Sequence, residues 1–368
     1  MELAWISLRD VRSYHLLEFT PATAVNVLIG DNGSGKTTVL EAIGYLASLR
    51  SFRRSPDSAL VADGAEAAVV RGEFRLGPRT TRVEVEIPSS GRRRVLVDGK
   101  RPAGRGELVS ALPTVSFLPD DLDLVKRGPA YRREYLDDLA AGFRRSTAAD
   151  QDAYDRALRQ RNALLRREGR TSDPLTLDVL DDRLATLGAA VVARRLDMLE
   201  GLARSLEGII ADLDAAGQPV GWSYEAAGLG TIHGASQESL REALAEALGA
   251  ARVEDLERRV TTVGPHRDEI VFTLGGRDVR TRASQGEQRS VALGLRVAAY
   301  EMLAGRGEAP VLLLDDVFSE LDPRRSTQLV KRLPDGQVFV TSAREEEVPV
   351  RGTRWRVAAG DVVGVESE

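Results

Sequence analysis

Apolar positions change their spacing along the chain, and the changes predict where strands give way to helices. Residues 24–29, Ala-Val-Asn-Val-Leu-Ile, form a short apolar run ending on Gly30, as expected of a buried strand feeding a turn. Directly after it Val39, Ile43 and Leu46 fall at i, i+4 and i+7, which predicts an amphipathic helix over 37–49. Arg82–Ile87 alternates with period two, and Val95–Val97 follows before an Asp98-Gly99 turn, so an antiparallel sheet is expected there. Residues 1–120 thus read as strands around one helix.

From 121 to 258 the pattern is helical. Ser146–Arg167 carries Tyr154, Ala157, Leu158, Leu164 and Leu165 on one face. Leu177, Leu180, Leu184, Leu187 and Val191 then repeat at 3-4-3-4 spacing, a coiled-coil-like seam too brief for a long rod. Gly217-Gln218-Pro219 breaks it, and a strand-like stretch at Val220–Tyr224 precedes more helix around Leu240–Leu248. From 259 to 368 a hairpin is expected, with Ile270–Leu274 before Gly275-Gly276, then a helix from Ser284 with Val291, Leu295, Ala298 and Met302 on one side. Val311–Leu314 is apolar throughout, as in a parallel strand buried on both faces, and Val338–Val340 supplies a late core strand. No internal repeat of 20–50 residues is present.

Against this pattern, composition mostly excludes. Lysine and arginine total 51 against 56 acidic residues, a net charge of −5, so contact with nucleic acid must come from local patches. The absence of cysteine removes disulfides and thiolate metal sites and fits a reducing, cytoplasmic setting. The start lacks a signal-peptide pattern, and no apolar run approaches a membrane span. With only three histidines, a histidine metal site or triad has little support.

The turn after the first apolar run carries the chemistry. Gly30-Asp31-Asn32-Gly33-Ser34-Gly35-Lys36-Thr37 fits the phosphate-loop pattern G-x-x-x-x-G-K-[ST], between strand and helix as that motif requires. Glycines let backbone amides curl toward phosphate, and the helix start adds unpaired N–H groups. Lys36 is expected at the β and γ phosphates of ATP and Thr37 at Mg²⁺. A glycine turn with an incidental Lys-Thr is the bland alternative. Asp315, closing the second apolar strand, is the expected Mg²⁺ ligand, and Asp316 the base for the attacking water. Most related ATPases have glutamate there, so the shorter aspartate predicts slow turnover; an acidic pair can also simply cap the next segment. Ser284-Gln285-Gly286-Glu287 contains the S-x-x-E capping box, so Ser284 caps its own helix. The same capped start, with Gly286, is also an anion site suited to a γ-phosphate, and both readings are expected to hold. Ser319-Glu320-Leu321-Asp322 completes the set, and resemblance to ABC ATPase heads implies that this segment lies at a dimer interface.

In this order the motifs resemble the ATPase heads of ABC and SMC-like proteins, in which the phosphate loop of one copy meets the Ser-x-Gly segment of another. The expected fold is therefore an α/β P-loop head with a mixed sheet, split by a mainly helical arm, and the expected active form an ATP-dependent homodimer. Three segments resemble the RecF family of bacterial recombination mediators more narrowly: Leu8–Tyr14 with the phosphate loop and Leu46–Arg53, then Phe117–Asp137, then Gly264–Asp268 through Ser284 to Asp322. The resemblance implies an ATP-contacting set of Arg12, Gly30, Asp31, Asn32, Gly33, Ser34, Gly35, Lys36, Thr37 and Thr38. It also implies ATP-dependent DNA binding at single-strand gaps and single/double-strand junctions. RecO and RecR are the implied partners in loading RecA, with roles in gap repair, replication restart and the SOS response, and a weak DNA-stimulated ATPase. Two departures stand out: Lys126-Arg127 replaces a glycine before Gly128-Pro129, and Thr341-Ser342 stands where transporter ATPases place a switch histidine. No glutamine is assigned to a Q-loop.

Basic residues on which DNA could lie are Arg50, Arg53 and Arg54 past the first helix, Arg132 and Arg133, and Arg156, Arg159 and Arg161 on the first arm helix. A solvated helix face explains the arm arginines equally, and ion pairs with nearby carboxylates explain Arg132 and Arg133. Trp5, Trp222 and Trp355 are scattered, so no stacking platform is evident. Other classes remain: a transporter ATPase subunit, disfavoured by the arm and Asp316; an SMC-type chromosomal rod, for which the insertion is too short; an ATPase fused to a nuclease; and an ATP-switch clamp with negligible turnover.

Overall fold

Two strand-rich blocks flank a helical one, and the chain folds into two compact units. The computed structural model describes residues 1–102, 108, 111–143, 145–213, 217–307, 309–333, 336–358 and 360–365. The first unit is built from Met1–Asp121, Asp212–Ala215 and Leu293–Glu368, the second from Leu122–Ala211 and Ala216–Ala292.

In chain order the first part gives β1 (Glu2–Val11), β2 (Tyr14–Phe19), β3 (Val25–Ile29), α1 (Lys36–Ser48), β4 (Ala67–Leu76), β5 (Arg79–Pro88), β6 (Arg94–Val97) and β7 (Thr114–Phe117). Next come α2 (Leu122–Lys126), α3 (Pro129–Phe143), α4 (Arg145–Glu168), α5 (Pro174–Leu213), β8 (Val220–Ala226), β9 (Gly230–Ile232) and α6 (Gln237–Arg258). Then follow β10 (Glu269–Leu274), β11 (Arg277–Asp278), α7 (Val279–Arg282) and α8 (Gln285–Ala304). The chain closes with β12 (Val311–Asp315), α9 (Pro323–Lys331), β13 (Val338–Ser342), β14 (Thr353–Ala358) and β15 (Asp361–Val365).

The first unit contains two sheets. One is antiparallel, in the order β2-β1-β4-β5-β6; the other runs β15-β14-β3-β13-β12-β7 and is parallel except at β15. Every residue of β12 and β13 is buried, which explains their unbroken apolar sequences. Between the sheets lies α1. It shares a core with Leu3, Ile6 and Leu8 of β1, Val83 and Val85 of β5, Leu313 of β12 and Phe339 of β13. Accordingly Leu40, Tyr45 and Ala47 are buried as well as Val39, Ile43 and Leu46, so the helix is covered on all sides where its periodicity suggested one stripe. Two strands follow the late core strand β13. β14 pairs in parallel with β3, and Trp355 reaches Asn26 Oδ1 with its indole N–H at 3.0 Å. Only Val357 in β14 is buried, so its sequence carries no strong apolar signal.

In the second unit, α5 runs for 40 residues, about 60 Å of helix, well past the seam that announced it. After Val191 the 3-4 spacing next falls on Arg194, which pairs with Asp150; Leu199, Leu202, Leu206, Ile209 and Leu213 resume it in a register one residue later, in which Arg195 is buried. Arg195 is held by Asp137 at 2.7 and 2.8 Å, Pro265 O at 2.7 Å and Tyr224 Oη at 3.2 Å. This unit continues past residue 258 because β10 pairs along its full length with β8, and the Gly275-Gly276 turn, φ 57° and 74°, returns the chain to β11. No helix among the described residues is long and apolar enough to cross a membrane.

Candidate nucleotide site

Three parallel strands deliver the site. In register Asp315 pairs with Thr341 and Ile29 with Ser342, so the C-terminal ends of β12, β13 and β3 lie side by side. That edge is where open α/β sheets receive ligands. The Gly30 N–H points to Ser342 O at 3.4 Å, and Ser34 N–H to Asp31 O at 3.1 Å, closing the loop before α1 begins.

Two glycines have no substitute here. A Cβ on Gly30 would sit 2.3 Å from Val357 O, and one on Gly35 would sit 2.6 Å from Tyr14 Oη. Gly35 also has φ 107°, outside the range of other residues. Asp31, Asn32 and Gly33 are exposed, whereas Lys36 and Thr38 are buried. The Lys36 ammonium donates to Gly30 O at 2.5 Å and Asp31 O at 2.8 Å. Burial lowers its pKa, opposed by the charges of Asp316, Asp315 and Asp31.

The acidic half is fixed by hydroxyls. Thr37 Oγ1 donates to Asp315 Oδ1 at 2.8 Å, and Thr341 Oγ1 donates to the same oxygen at 2.7 Å. Thr341 Oγ1 in turn accepts the Asp316 N–H at 2.9 Å, so one hydroxyl ties both aspartates. Desolvation raises the Asp315 pKa, and the Thr341 and Thr37 hydrogen bonds and the Arg53 charge hold it back. Asp316 is a non-glycine residue at φ 52°, a costly conformation that aspartate tolerates better than most. Its Oδ1 is buried without a hydrogen-bond partner, and so is Ser34 Oγ. A buried acceptor and hydroxyl left unmatched at a phosphate-loop mouth fit a polar ligand arriving there. Of Thr341 and Ser342, then, Thr341 engages the acidic pair. Its signal in the sequence was its position at the end of a buried strand, legible only once the strand register is known.

Arg12 forks onto the fully buried Glu41 at 2.7 and 2.8 Å and reaches Ser55 Oγ at 3.0 Å. The sequence did not mark Glu41 as its partner. Ser284 and Glu287 form the expected reciprocal cap: Ser284 N–H donates to Glu287 Oε2 at 2.6 Å, and Glu287 N–H to Ser284 Oγ at 3.3 Å. That capped start leaves Ser284 exposed and Gly286 half-buried. In the segment 319–322, Ser319 Oγ donates to Asp316 O at 2.8 Å, Glu320 is exposed, Leu321 N–H meets Phe318 O at 3.4 Å, and Asp322 caps α9 through the Arg325 N–H.

Several expected DNA contacts are structural. Arg161 is fully buried between Asp181 and Asp255, each 2.6 Å away, and cannot meet a phosphate. Arg132, 3% exposed, forks onto Glu269 and donates to the carbonyls of Leu124, Val125 and Arg127. Arg133 is half-buried and donates to Asp268 O at 2.6 Å. Buried Asp181 and Asp255 pair with Arg161, and half-buried Glu269 pairs with Arg132, the ion-pair alternative for that residue. Arg156 and Arg159 are exposed on α4, as are Arg50, Arg53 and Arg54 in the first unit; Arg144 lies outside the described residues. Arg53 lies 3.9 Å from Glu41 and acts on Asp315, so it belongs to the site's electrostatics.

Residues 2–359 match the model of the RecF/RecN/SMC N-terminal domain family. The sequence is 39% identical to the DNA replication and repair protein RecF of Streptomyces avermitilis, over 98% of this chain and 99% of that one. To the protein of the same name from Frankia alni it is 43% identical, over 99% of each. The fold superposes on a solved structure of the recombination mediator RecF with ATP, from the RecFOR pathway, with a TM-score of 0.91 and 31% identity over 99% of both chains. An Smc head bound to the C-terminal winged-helix domain of ScpA, at 18% identity and a TM-score of 0.57, shares the fold. With its loop, acidic pair and capped serine placed as described, the chain belongs to the RecF family of the RecF/RecN/SMC class.

Proposed function

We propose that this protein is an ATP-dependent DNA-binding recombination mediator, acting in the cytoplasm as a homodimer assembled by ATP. The observation that carries this reading is the Thr37–Asp315–Thr341–Asp316 chain of hydrogen bonds beside the buried Lys36. It matches what a triphosphate with one divalent cation requires: a cation for the β and γ phosphates, a hydroxyl–carboxylate pair for Mg²⁺, and a second carboxylate for water. When bound, Mg²⁺ supplies charge stabilisation at the β and γ oxygens. Lys36 would trade its two loop carbonyls for phosphate oxygens. Thr37 and Asp315 would hold the metal. Asp316 Oδ1, buried and without a partner, accepts a proton from the attacking water. The short reach of aspartate and its strained backbone favour slow turnover, a switch more than a motor.

The biological setting is drawn from relatives named as DNA replication and repair proteins and from the RecFOR pathway of the matching structure. On that basis the DNA is gapped or carries a single/double-strand junction, the partners are RecO and RecR, and the outcome is repair, replication restart and SOS induction. The arm and the Asp316 site speak against a transporter role. Gapped DNA should be retained with ATP and released with ADP, with hydrolysis slow and stimulated by DNA. Lys36→Arg should keep partial nucleotide binding yet lose hydrolysis, because a planar guanidinium cannot replace a compact ammonium. Equal retention of gapped DNA with ATP, ADP and no nucleotide would refute this function.

A further inference from the structure

We propose that the tip of the β5–β6 hairpin, together with the turn after α1, forms a surface that holds the phosphate backbone of duplex DNA on the first unit. This rests on the DNA-binding reading above and gives it a location. Two stretches distant in sequence carry the charge. At the tip Arg92, Arg93 and Arg94 stand together with no acidic residue between Ser89 and Val97; Arg50, Arg53 and Arg54 lie within 49–57 against the single Asp57. One guanidinium joins the stretches. Arg93 Nη1 donates to Asp57 Oδ2 at 2.7 Å, to Leu49 O at 2.8 Å and to Tyr45 Oη at 3.2 Å, so it grips both ends of the turn that carries Arg50 and Arg54.

The one acidic residue of these stretches, Asp57, is already committed to Arg93. Glu86 stands opposite Arg94 in the strand pair. Arg50, Arg54, Arg92 and Arg94 are all exposed. With the protein at −5 overall, such a local excess is what phosphate neutralisation requires. The surface offers charge without a stacking ring: Tyr45 is buried beneath the Arg93 guanidinium, and Phe52 packs against the core. That favours backbone contact to a duplex over stacking of single strands. The clamp also grips the C-terminal end of α1, whose first residue is Lys36, so one helix links phosphate loop and basic surface.

The test is the salt dependence of duplex binding by the full-length protein with ATP, comparing wild type, Arg92→Glu with Arg94→Glu, and Arg92→Gln with Arg94→Gln. Nucleotide binding serves as the control for folding. Removing two phosphate contacts should flatten the slope of log affinity against log salt by about 1.8 and weaken binding equally across sequences. The glutamate pair should lose more affinity than the glutamine pair, both retaining nucleotide binding. Wild-type slope and affinity in both variants would overturn the proposal, leaving the charge for an acidic protein surface. Loss of nucleotide binding in both would make the tip a structural element and overturn it too. A wild-type protein that binds neither duplex nor gapped DNA would instead refute the function itself.

Discussion

Replacing Thr341 with valine removes one oxygen and disturbs both aspartates. The hydroxyl donates to Asp315 Oδ1 at 2.7 Å and accepts the Asp316 N–H at 2.9 Å, at a position 1% exposed where water cannot substitute. Losing a hydrogen bond to a charged group costs about 1.5–3 kcal/mol, and stranding a buried N–H adds to it, so roughly 2–4 kcal/mol of stability should go. Thr341→Ser keeps the oxygen and should lose only about 1 kcal/mol for the missing methyl. The deficit should also depend on pH. Burial already raises the Asp315 pKa, and the Thr341 bond is the largest influence holding it back, so valine pushes it further up. A carboxyl raised in the folded state binds its proton more tightly there than when unfolded, so its effect is most destabilising at neutral pH and fades below its folded pKa. Thermal unfolding of the nucleotide-free protein, from neutral to mildly acidic buffer, should show the valine deficit shrinking as pH falls, with hydrolysis lost at neutral pH. A deficit independent of pH, or wild-type turnover in Thr341→Val, would refute this role.

Arg161→Met should destabilise the protein by about 3–5 kcal/mol, because it strands two buried carboxylates, Asp181 and Asp255, while DNA affinity of the folded fraction stays unchanged; a DNA defect without a stability defect would contradict it. Gly35→Ala combines φ 107° with a Cβ 2.6 Å from Tyr14 Oη and should abolish nucleotide binding, whereas Gly33→Ala, with open space around its Cβ, should carry only the backbone strain of roughly 1–3 kcal/mol. Equal nucleotide titrations for the two would be inconsistent with that packing. His266 has its pKa lowered from 6.5 to about 4, by burial first. The unfolded chain takes up the proton between those values and the folded one does not, so stability drops as pH falls through that window and His266→Asn should flatten the drop. An unchanged acid profile in that variant would exclude His266 as the cause.

Apolar spacing and a contiguous motif made the elements around the phosphate loop legible from sequence. Lys36, Thr37 and Gly35 are neighbours in the chain, and the strand and helix around them have strong periods. Asp315 was legible because it ends an unbroken apolar strand, and Ser284 because its capping box is local. What stayed hidden depends on pairing between distant segments. Thr341 became a site residue only through its register with Asp315, and Glu41 only through the fork from Arg12. Arg161 misled because helical arginines look alike in sequence, and burial is decided by carboxylates 20 and 94 residues away. β14 was missed because parallel pairing to β3 sustains it with one buried side chain.

We propose that each nucleotide site is completed in trans, the phosphate loop of one copy meeting the capped Ser284 helix start of another. Sedimentation velocity with ATP, with ADP and without nucleotide tests it on wild type, Ser284→Arg, Lys36→Met and an equimolar mixture of the two variants. A ligand can drive association only by contacting the dimer better than the monomer, so ATP should produce a wild-type dimer and ADP, lacking the γ-phosphate, should not. Ser284→Arg should bind ATP nearly normally and stay monomeric, and the mixture should recover at most one competent site per heterodimer. A Ser284→Arg protein that dimerises with ATP and hydrolyses it at the wild-type rate would contradict completion of the site in trans.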